Sequence, residues 1–159
     1  MPTRNASAVW EGKLRDGNGQ FKSESGVIGG NYSFGTRFGD ASGTNPEELL
    51  AAAEAACFSM ALSGGLEQAG TPARRVETRA ACTVEQQSGG GFRITTMKLD
   101  VRADVPGVDD ARFQEIAEKT KKTCPVSVAL AGVQIEMTAR LEQGGSKGAE
   151  RGAQPEARM

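Results

Sequence analysis

The residues of this chain that could carry covalent chemistry are three cysteines, Cys57, Cys82 and Cys124. Their spacing matches no metal-binding motif and no small disulfide framework. The chain contains no histidine, which removes histidine acid–base catalysis, serine triads and most zinc chemistry. The sequence therefore directs attention to thiol chemistry that works without an imidazole.

Cys124 has sequence surroundings that favour a thiolate. It precedes Pro125, which suits the first position of a helix, and it follows Lys121 and Lys122. A helix N-terminus and neighbouring lysines both stabilise a negative sulfur. An inert cysteine at the start of a helix is the alternative interpretation.

Cys57 lies in the middle of an apolar stretch, residues 45–65, which predicts the central helix of the domain. Asn45 suits the N-cap and Pro46 the first helical position. Glu54 is the one charged residue within the apolar run, and a helix this apolar on most sides is buried. Its length and the serine and glycines at its end argue against a membrane span. Considered alone, Cys57 is either core packing or a reactive thiol.

A second predicted helix, residues 109–123, brings Cys124 toward Cys57. Its apolar row continues four residues on to Cys124, so this cysteine points to the core, where the Cys57 helix must also pack. The row consists of Phe113, Ile116, Ala117 and Thr120. The joint placement favours a functional role for both cysteines. Cys82 stands on the buried face of a predicted strand, and we interpret it as a small core residue.

The other segments predict strands and the turns between them. A DGNG turn is expected at residues 16–19, a glycine-rich segment at 29–43 and a bulge between Ile94 and Met97. Strands are expected over residues 6–14, 20–28, 74–87, 92–105 and 133–142. Residues 143–159 have no periodicity and predict a disordered tail after a domain that covers residues 1–142.

Charge and the N-terminal sequence exclude several protein classes. The net charge is −1, so no nucleic-acid footprint and no membrane-surface patch is expected. The first residues contain no apolar segment of the kind that directs secretion. We therefore predict a cytoplasmic protein, without metal or cofactor, whose thiols stay reduced.

The chain resembles the OsmC/Ohr family of thiol-dependent hydroperoxide reductases, and its pattern is closer to the OsmC branch. The resemblance runs from Trp10 to about Leu141 and is sharpest in GTNPEELLAAAEAACFSMAL and TCPVS. It implies an α+β fold in which antiparallel curved sheets surround a long buried central helix, and an intertwined homodimer. It also implies a two-cysteine thiol peroxidase that reduces organic hydroperoxides to alcohols.

The resemblance assigns roles to individual residues. Cys57 matches the peroxide-reactive cysteine and Cys124 the resolving cysteine, so oxidation would give a disulfide that an external dithiol, lipoyl-type or thioredoxin-type, must reduce. Arg37 and Glu47 match the arginine and glutamate of the family, and Glu48 is held as a second acid. Arg37 would favour the thiolate and stabilise the leaving alkoxide, while Glu47 would hold the guanidinium in place. An apolar surround for an organic hydroperoxide is expected from Phe34, Phe38, Phe58 and Met60.

Helix geometry predicts how two copies would cooperate. Glu47 and Cys57 are ten residues apart on one helix, which separates them by about 15 Å along the axis and about 80° around it. They can hardly share a site within one copy. A second copy could bring Arg37 and Glu47 to Cys57, which agrees with the homodimer that the resemblance implies.

Two other interpretations stay open. One is a non-enzymatic redox-sensing or small-molecule-binding module on the same fold, in which Cys57 and Cys124 respond to oxidants without turnover. The other is that all three cysteines only pack the core. Glu47 would then complement the helix dipole, and Arg37 would be a surface loop residue.

Overall fold

The computed structural model describes residues 1–142, which form an α+β domain with two small sheets and a central helix. The tail predicted for residues 143–159 lies outside the described residues. In chain order the elements are β1 (Ala6–Glu11), β2 (Asn18–Ser23), β3 (Gly29–Ser33), α1 (Phe34–Phe38), α2 (Pro46–Gln68), β4 (Arg75–Gln86), β5 (Phe92–Asp104), α3 (Asp110–Thr123), α4 (Pro125–Ala129) and β6 (Gln134–Glu142).

Strands β1, β2 and β3 form an antiparallel sheet, which we call the N-terminal sheet. β1 and β2 correspond to the first two predicted strands, whereas β3 and α1 arise from the glycine-rich segment and were not predicted. Gly19 makes this pairing possible, because a Cβ there would come within 2.5 Å of the ring of Tyr32 on β3. α1 begins with a reciprocal cap: Ser33 Oγ accepts from the backbone N–H of Thr36, and Thr36 Oγ1 accepts from that of Ser33.

The second sheet has the order β4-β5-β6, with β5 at its centre. Thr83 pairs with Thr96 and Val84 with Ile94, so Thr95 is an extra residue on β5 and the bulge predicted in this region is confirmed. The expectation of antiparallel pairing holds for three of the four strand pairs, but β6 runs parallel to β5. The reason is the long connection through α3 and α4, because a parallel pair requires a crossover of this kind.

Helix α2 begins as predicted and extends through its glycines to Gln68. The side chain of Asn45 caps it by accepting from the backbone N–H of Glu48 at 2.8 Å, and Pro46 occupies the first turn. The expectation that this stretch is too short for a membrane span is wrong, because α2 has 23 residues and by length and composition could cross a bilayer; in this fold it contributes buried side chains to the domain core. An opposite face of α2 carries the exposed residues Ala52, Ala53, Ala56 and Met60.

The main core lies where α2 and α3 meet β5. Its fully buried side chains include Phe58, Leu62 and Leu66 of α2, Met97 and Val101 of β5, and Phe113 of α3. A close approach of the two helices depends on Gly65, because a Cβ there would lie only 3.2 Å from Cγ2 of Ile116. This packing fixes the inner face of the helix that carries Cys57.

Candidate active site

The structure brings Cys57 and Cys124 together. Their Sγ atoms lie 3.1 Å apart, which is hydrogen-bond distance for two thiols. All three cysteines are free; Cys124 is fully buried, and Cys57 is half-buried. Two free thiols at this separation can be joined in a disulfide without rearrangement of the fold.

The turn between α3 and α4 fixes the position of Cys124. Its backbone N–H donates to the carbonyl of Thr120 at 2.8 Å, and its carbonyl accepts from Val128 at 2.9 Å. The cysteine thus ends one helix and begins the next. Its extended ψ of 126° is the conformation that a following proline, here Pro125, imposes. Local sequence therefore sets the backbone conformation at Cys124.

Within one chain the surroundings of Cys57 disfavour its thiolate. Burial raises the pKa of the Cys57 thiol above its usual value, and contact with Cys124 raises it further. A hydrogen bond from the backbone of Val126 lowers that pKa in part, while the charge of Glu54 adds a smaller increase. No cationic side chain of residues 1–142 is among the groups that shift it.

Arg37 and Glu47 form a second cluster at the start of α2. The guanidinium contacts the carboxylate through two nitrogens: Nε lies 2.9 and 3.1 Å from the two oxygens, and Nη2 lies 2.6 Å from Oε1. Glu47 is buried, whereas the Arg37 side chain keeps 36% of its surface. A forked arginine held by a buried carboxylate is oriented before any substrate arrives.

The two clusters do not meet within one chain. Glu47 and Cys57 lie on the same unbroken helix, ten residues apart, which separates them by about 15 Å along the axis. The charge of Glu47 affects a different cysteine, Cys82. The pKa of the Cys82 thiol is raised mainly by burial, and the negative charge of Glu47 raises it further. Cys82 stands on β4 opposite Met97 and packs against the core. Both effects make its thiol less reactive.

The other predicted site residues fall in several places. Glu48 accepts from Thr44 Oγ1 at 2.6 Å and is not a partner of Arg37. Phe34 and Phe38 line an open cleft of about 290 Å³ together with Arg37. The other two residues that were expected to surround the substrate do not line this cleft. Phe58 is fully buried in the core, and Met60 is 76% exposed on α2.

Three residues that were not predicted as site residues belong to these clusters. Phe92 stacks on Phe38 with ring centroids 4.0 Å apart and so joins α1 to the second sheet. Glu54 and Ser127 are buried beside the two cysteines and bond to each other. A lone acidic residue in an apolar helix was the signal for Glu54, but nothing in the sequence indicated its partner.

Comparison with known proteins gives a consistent result. A family model described as OsmC-like protein matches residues 39–138, a range that includes Glu47 and both close cysteines. Peroxiredoxin OsmC of Escherichia coli K12 is 44% identical over 128 residues, which cover 80% of this chain and 89% of that protein. An organic hydroperoxide resistance protein of Xanthomonas axonopodis pv. citri is 34% identical over 104 residues, covering 62% of this chain and 67% of that protein.

Solved structures agree with the fold. The crystal structure of the organic hydroperoxide resistance protein OhrB of Bacillus subtilis superposes with a TM-score of 0.68 at 26% identity, covering 86% of this chain and 98% of that one. A second such protein, from Elizabethkingia anophelis, gives a TM-score of 0.68 at 28% identity, with coverage of 89% and 98%.

The short distance between the two sulfurs generates the first prediction. One equivalent of cumene hydroperoxide, added to the reduced protein, should yield a disulfide between Cys57 and Cys124, whose sulfurs are in contact, while Cys82, whose pKa is raised by burial, stays a free thiol. Peptide mapping by mass spectrometry, after capping of free thiols, checks this. The Cys82→Ser variant serves as control and should give the same disulfide in the same yield. Unreacted Cys57 and Cys124 in the wild-type protein would contradict the prediction.

Proposed function

This chain belongs to the OsmC-like protein family, and from that premise we propose that it works as a two-cysteine thiol peroxidase with Cys57 as the attacking residue and Cys124 as the resolving residue. The relatives are named peroxiredoxin and organic hydroperoxide resistance proteins, and these names support the reduction of hydroperoxides by a thiol. The observation that carries the residue assignment is the 3.1 Å separation of the two sulfurs. A sensing module without turnover is not favoured by these relatives.

The proposed reaction has three steps. The Cys57 thiolate attacks one peroxide oxygen; an S–O bond forms, the O–O bond breaks, and an alkoxide leaves and takes up a proton to become the alcohol. The Cys124 thiol then attacks the sulfur of the Cys57 sulfenic acid, giving a disulfide and water. An external dithiol reduces this disulfide through a mixed disulfide. Because Cys124 is fully buried, Cys57 offers the accessible sulfur.

We assign Arg37 the task of activating Cys57. The reaction needs a thiolate and develops negative charge on the leaving oxygen, and a fixed cation stabilises both. The chain has no histidine to do this, and within one copy the pKa of Cys57 is raised. Glu47 holds the guanidinium by the two-nitrogen contact. Glu48 bonds to Thr44 instead, so we give it no direct part in this orientation.

We propose that this cation comes from a second copy in a homodimer, because Arg37 and Cys57 do not meet within one chain. Two surfaces support it. α2 presents exposed Ala52, Ala53, Ala56 and Met60 on one face, a small and apolar surface that allows close approach. In the N-terminal sheet, Trp10 is the one residue of β1 that is not exposed, and a three-stranded sheet this open needs a further layer to be stable.

The cleft beside Arg37 supports an organic substrate. Phe34 and Phe38 give it an apolar wall, and Arg15 lies over the Phe34 ring at 4.9 Å. The organic part of a hydroperoxide would contact these rings while its O–O group approaches the guanidinium. We propose a lipoyl-type or thioredoxin-type dithiol as reductant, and the cytoplasm as compartment, because free thiols persist there.

Steady-state turnover tests the proposed function. The reduced protein should consume cumene hydroperoxide over many turnovers when dihydrolipoamide or reduced thioredoxin is supplied as the dithiol. The loss of peroxide with time is the quantity measured. Contact with the phenylalanine wall should make the second-order rate for cumene hydroperoxide about tenfold or more above that for hydrogen peroxide. The Cys57→Ser variant should be inactive, and Cys82→Ser should match the wild type. A single oxidation without turnover would support the sensing module, and equal rates for both peroxides would remove the substrate preference.

Substitution of Arg37 tests the activation of Cys57. Arg37→Gln should lower the rate of thiol oxidation at neutral pH by about 10²–10³-fold, the usual effect of removing a preorganised electrostatic group. The guanidinium lowers the pKa of the thiol it faces, so its loss raises that pKa. The rate should therefore recover as the pH is raised. Stopped-flow pH profiles measure this, with Arg79→Gln as control because Arg79 is an exposed arginine on β4. A profile of Arg37→Gln that matches the wild type would exclude this role.

Mixed dimers test whether Arg37 acts across the interface. A dimer of one Cys57→Ser subunit and one Arg37→Gln subunit, purified by two different tags, retains Cys57 on one chain and Arg37 on the other. It should have about half the wild-type activity if each site uses both chains, since one of its two sites is complete. Activity no higher than that of the Arg37→Gln homodimer would mean that Arg37 acts within its own chain. A monomer by light scattering at micromolar concentration would refute the dimer.

A further inference from the structure

A second contact between α2 and α4 lies one helical turn from the two sulfurs. Ser127 Oγ donates to Glu54 Oε1 at 2.5 Å, and both residues are buried, at 3% and 0% exposure. Glu54 precedes Cys57 by three residues on α2, and Ser127 follows Cys124 by three residues on α4. Positions three apart share a helix face, so the carboxylate–hydroxyl contact and the thiol–thiol contact are parallel bridges across one interface.

Glu54 is an unfavourable residue for stability alone. Its Oε2 atom is buried and has no hydrogen-bond partner among residues 1–142. Its helix neighbours Phe58 and Leu62 belong to the apolar core. A buried carboxyl with one of its oxygens unpartnered destabilises a fold, and an apolar residue of similar volume would be preferred at such a position. Core packing therefore does not account for Glu54.

Glu54 also does not promote attack on the peroxide. Its negative charge contributes to raising the pKa of Cys57, which lowers the thiolate fraction at neutral pH. A residue selected to speed the first step would have the opposite effect. Its contact partner Ser127 belongs to the turn that carries Cys124, which points to the second step of the reaction.

We propose that Glu54 is a positioning residue which, through Ser127, holds the Cys124 turn against α2 and so sets the rate of disulfide formation. This inference rests on the proposed peroxidase function. α4 has only five residues and Cys124 makes no side-chain cap bond at its start, so the local support of this turn consists of backbone hydrogen bonds such as that from Cys124 N–H to the carbonyl of Thr120. The buried Glu54–Ser127 bond supplies a fixed point between the two helices.

The consequence concerns the lifetime of the sulfenic acid. When Cys124 is held close, its thiol displaces water from the Cys57 sulfenic acid and the S–S bond forms. When the turn can move away, a second hydroperoxide oxidises the sulfenic acid to a sulfinic acid and is itself reduced to the alcohol. Glu54 would thus protect Cys57 from irreversible oxidation during turnover.

The experiment compares the two chemical steps in single turnovers of the full-length protein. Rapid quenching with cumene hydroperoxide, followed by mass spectrometry, gives the loss of Cys57 thiol and the gain of disulfide. Ser127→Ala removes the donor to Glu54. In this variant Cys57 should attack the hydroperoxide at the wild-type rate, whereas disulfide formation should be slower by about 10–100-fold, as expected when reacting groups lose their alignment. The sulfinic acid fraction should rise with peroxide concentration in this variant.

Two further variants separate positioning from simple structural support. Glu54→Gln keeps an oxygen that can accept from Ser127, so it should form the disulfide at nearly the wild-type rate. The double variant Glu54→Met/Ser127→Ala replaces both polar groups by apolar ones of similar size and leaves no buried carboxylate without a partner. This double variant should be at least as stable as Ser127→Ala, and yet it should form the Cys57–Cys124 disulfide as slowly as that variant does.

Each outcome decides the inference. Wild-type disulfide formation in Ser127→Ala or in the double variant would overturn it and leave the contact a structural feature. Slower attack in Glu54→Gln would also overturn it, because the carboxyl would then act in the first step. Absence of a Cys57–Cys124 disulfide in the wild-type protein is a different result, since it would contradict the proposed function itself.

Discussion

The rigid geometry of α2 is the constraint on which the rest of the site depends. A continuous helix of 23 residues carries Glu47 in its first turn and Cys57 in its middle, and no side-chain movement spans the distance between them. The arginine clamp and the thiol pair are therefore built as separate halves in one chain. The proposed catalytic site needs both halves and therefore a second copy of the chain, so in this proposal the length of α2 links assembly to chemistry.

The same helix creates a conflict between burial and reactivity. Its apolar surroundings hold the two cysteines in register, but they raise the pKa of Cys57 and so reduce the amount of its reactive form. In the proposed dimer, a fixed cation from the partner copy at the exposed side of Cys57 would offset this increase in pKa without disturbing the core. The two-nitrogen contact with Glu47 suits this task, because it orients the guanidinium in advance while Arg37 remains partly exposed.

The sequence predicted the elements that follow a clear period or cap. Asn45 and Pro46 marked the start of α2, the apolar row identified α3, the alternating pattern identified β4 and β5, and the phase change near Thr95 marked the bulge. β3 and α1 were missed because a glycine-rich segment has no period, and its structure depends on pairing with β2. The parallel direction of β6 and the bond between Glu54 and Ser127 depend on contacts between distant residues, which local patterns do not encode.

Cys124 lies in the turn between α3 and the short helix α4, and this position gives a reason for the buried hydrogen bond between Ser127 and Glu54. A resolving thiol must reach the sulfur of the Cys57 sulfenic acid, so the position of the turn that carries it matters for the proposed second step. α4, with five residues, lacks the cooperative hydrogen bonds that stabilise longer helices. Apolar contacts alone would permit the turn to slide, because they have little directional preference. The hydrogen bond that Ser127 donates to Glu54, at 2.5 Å, is directional, and in the proposed role it adds a fixed point between α2 and the turn that carries Cys124.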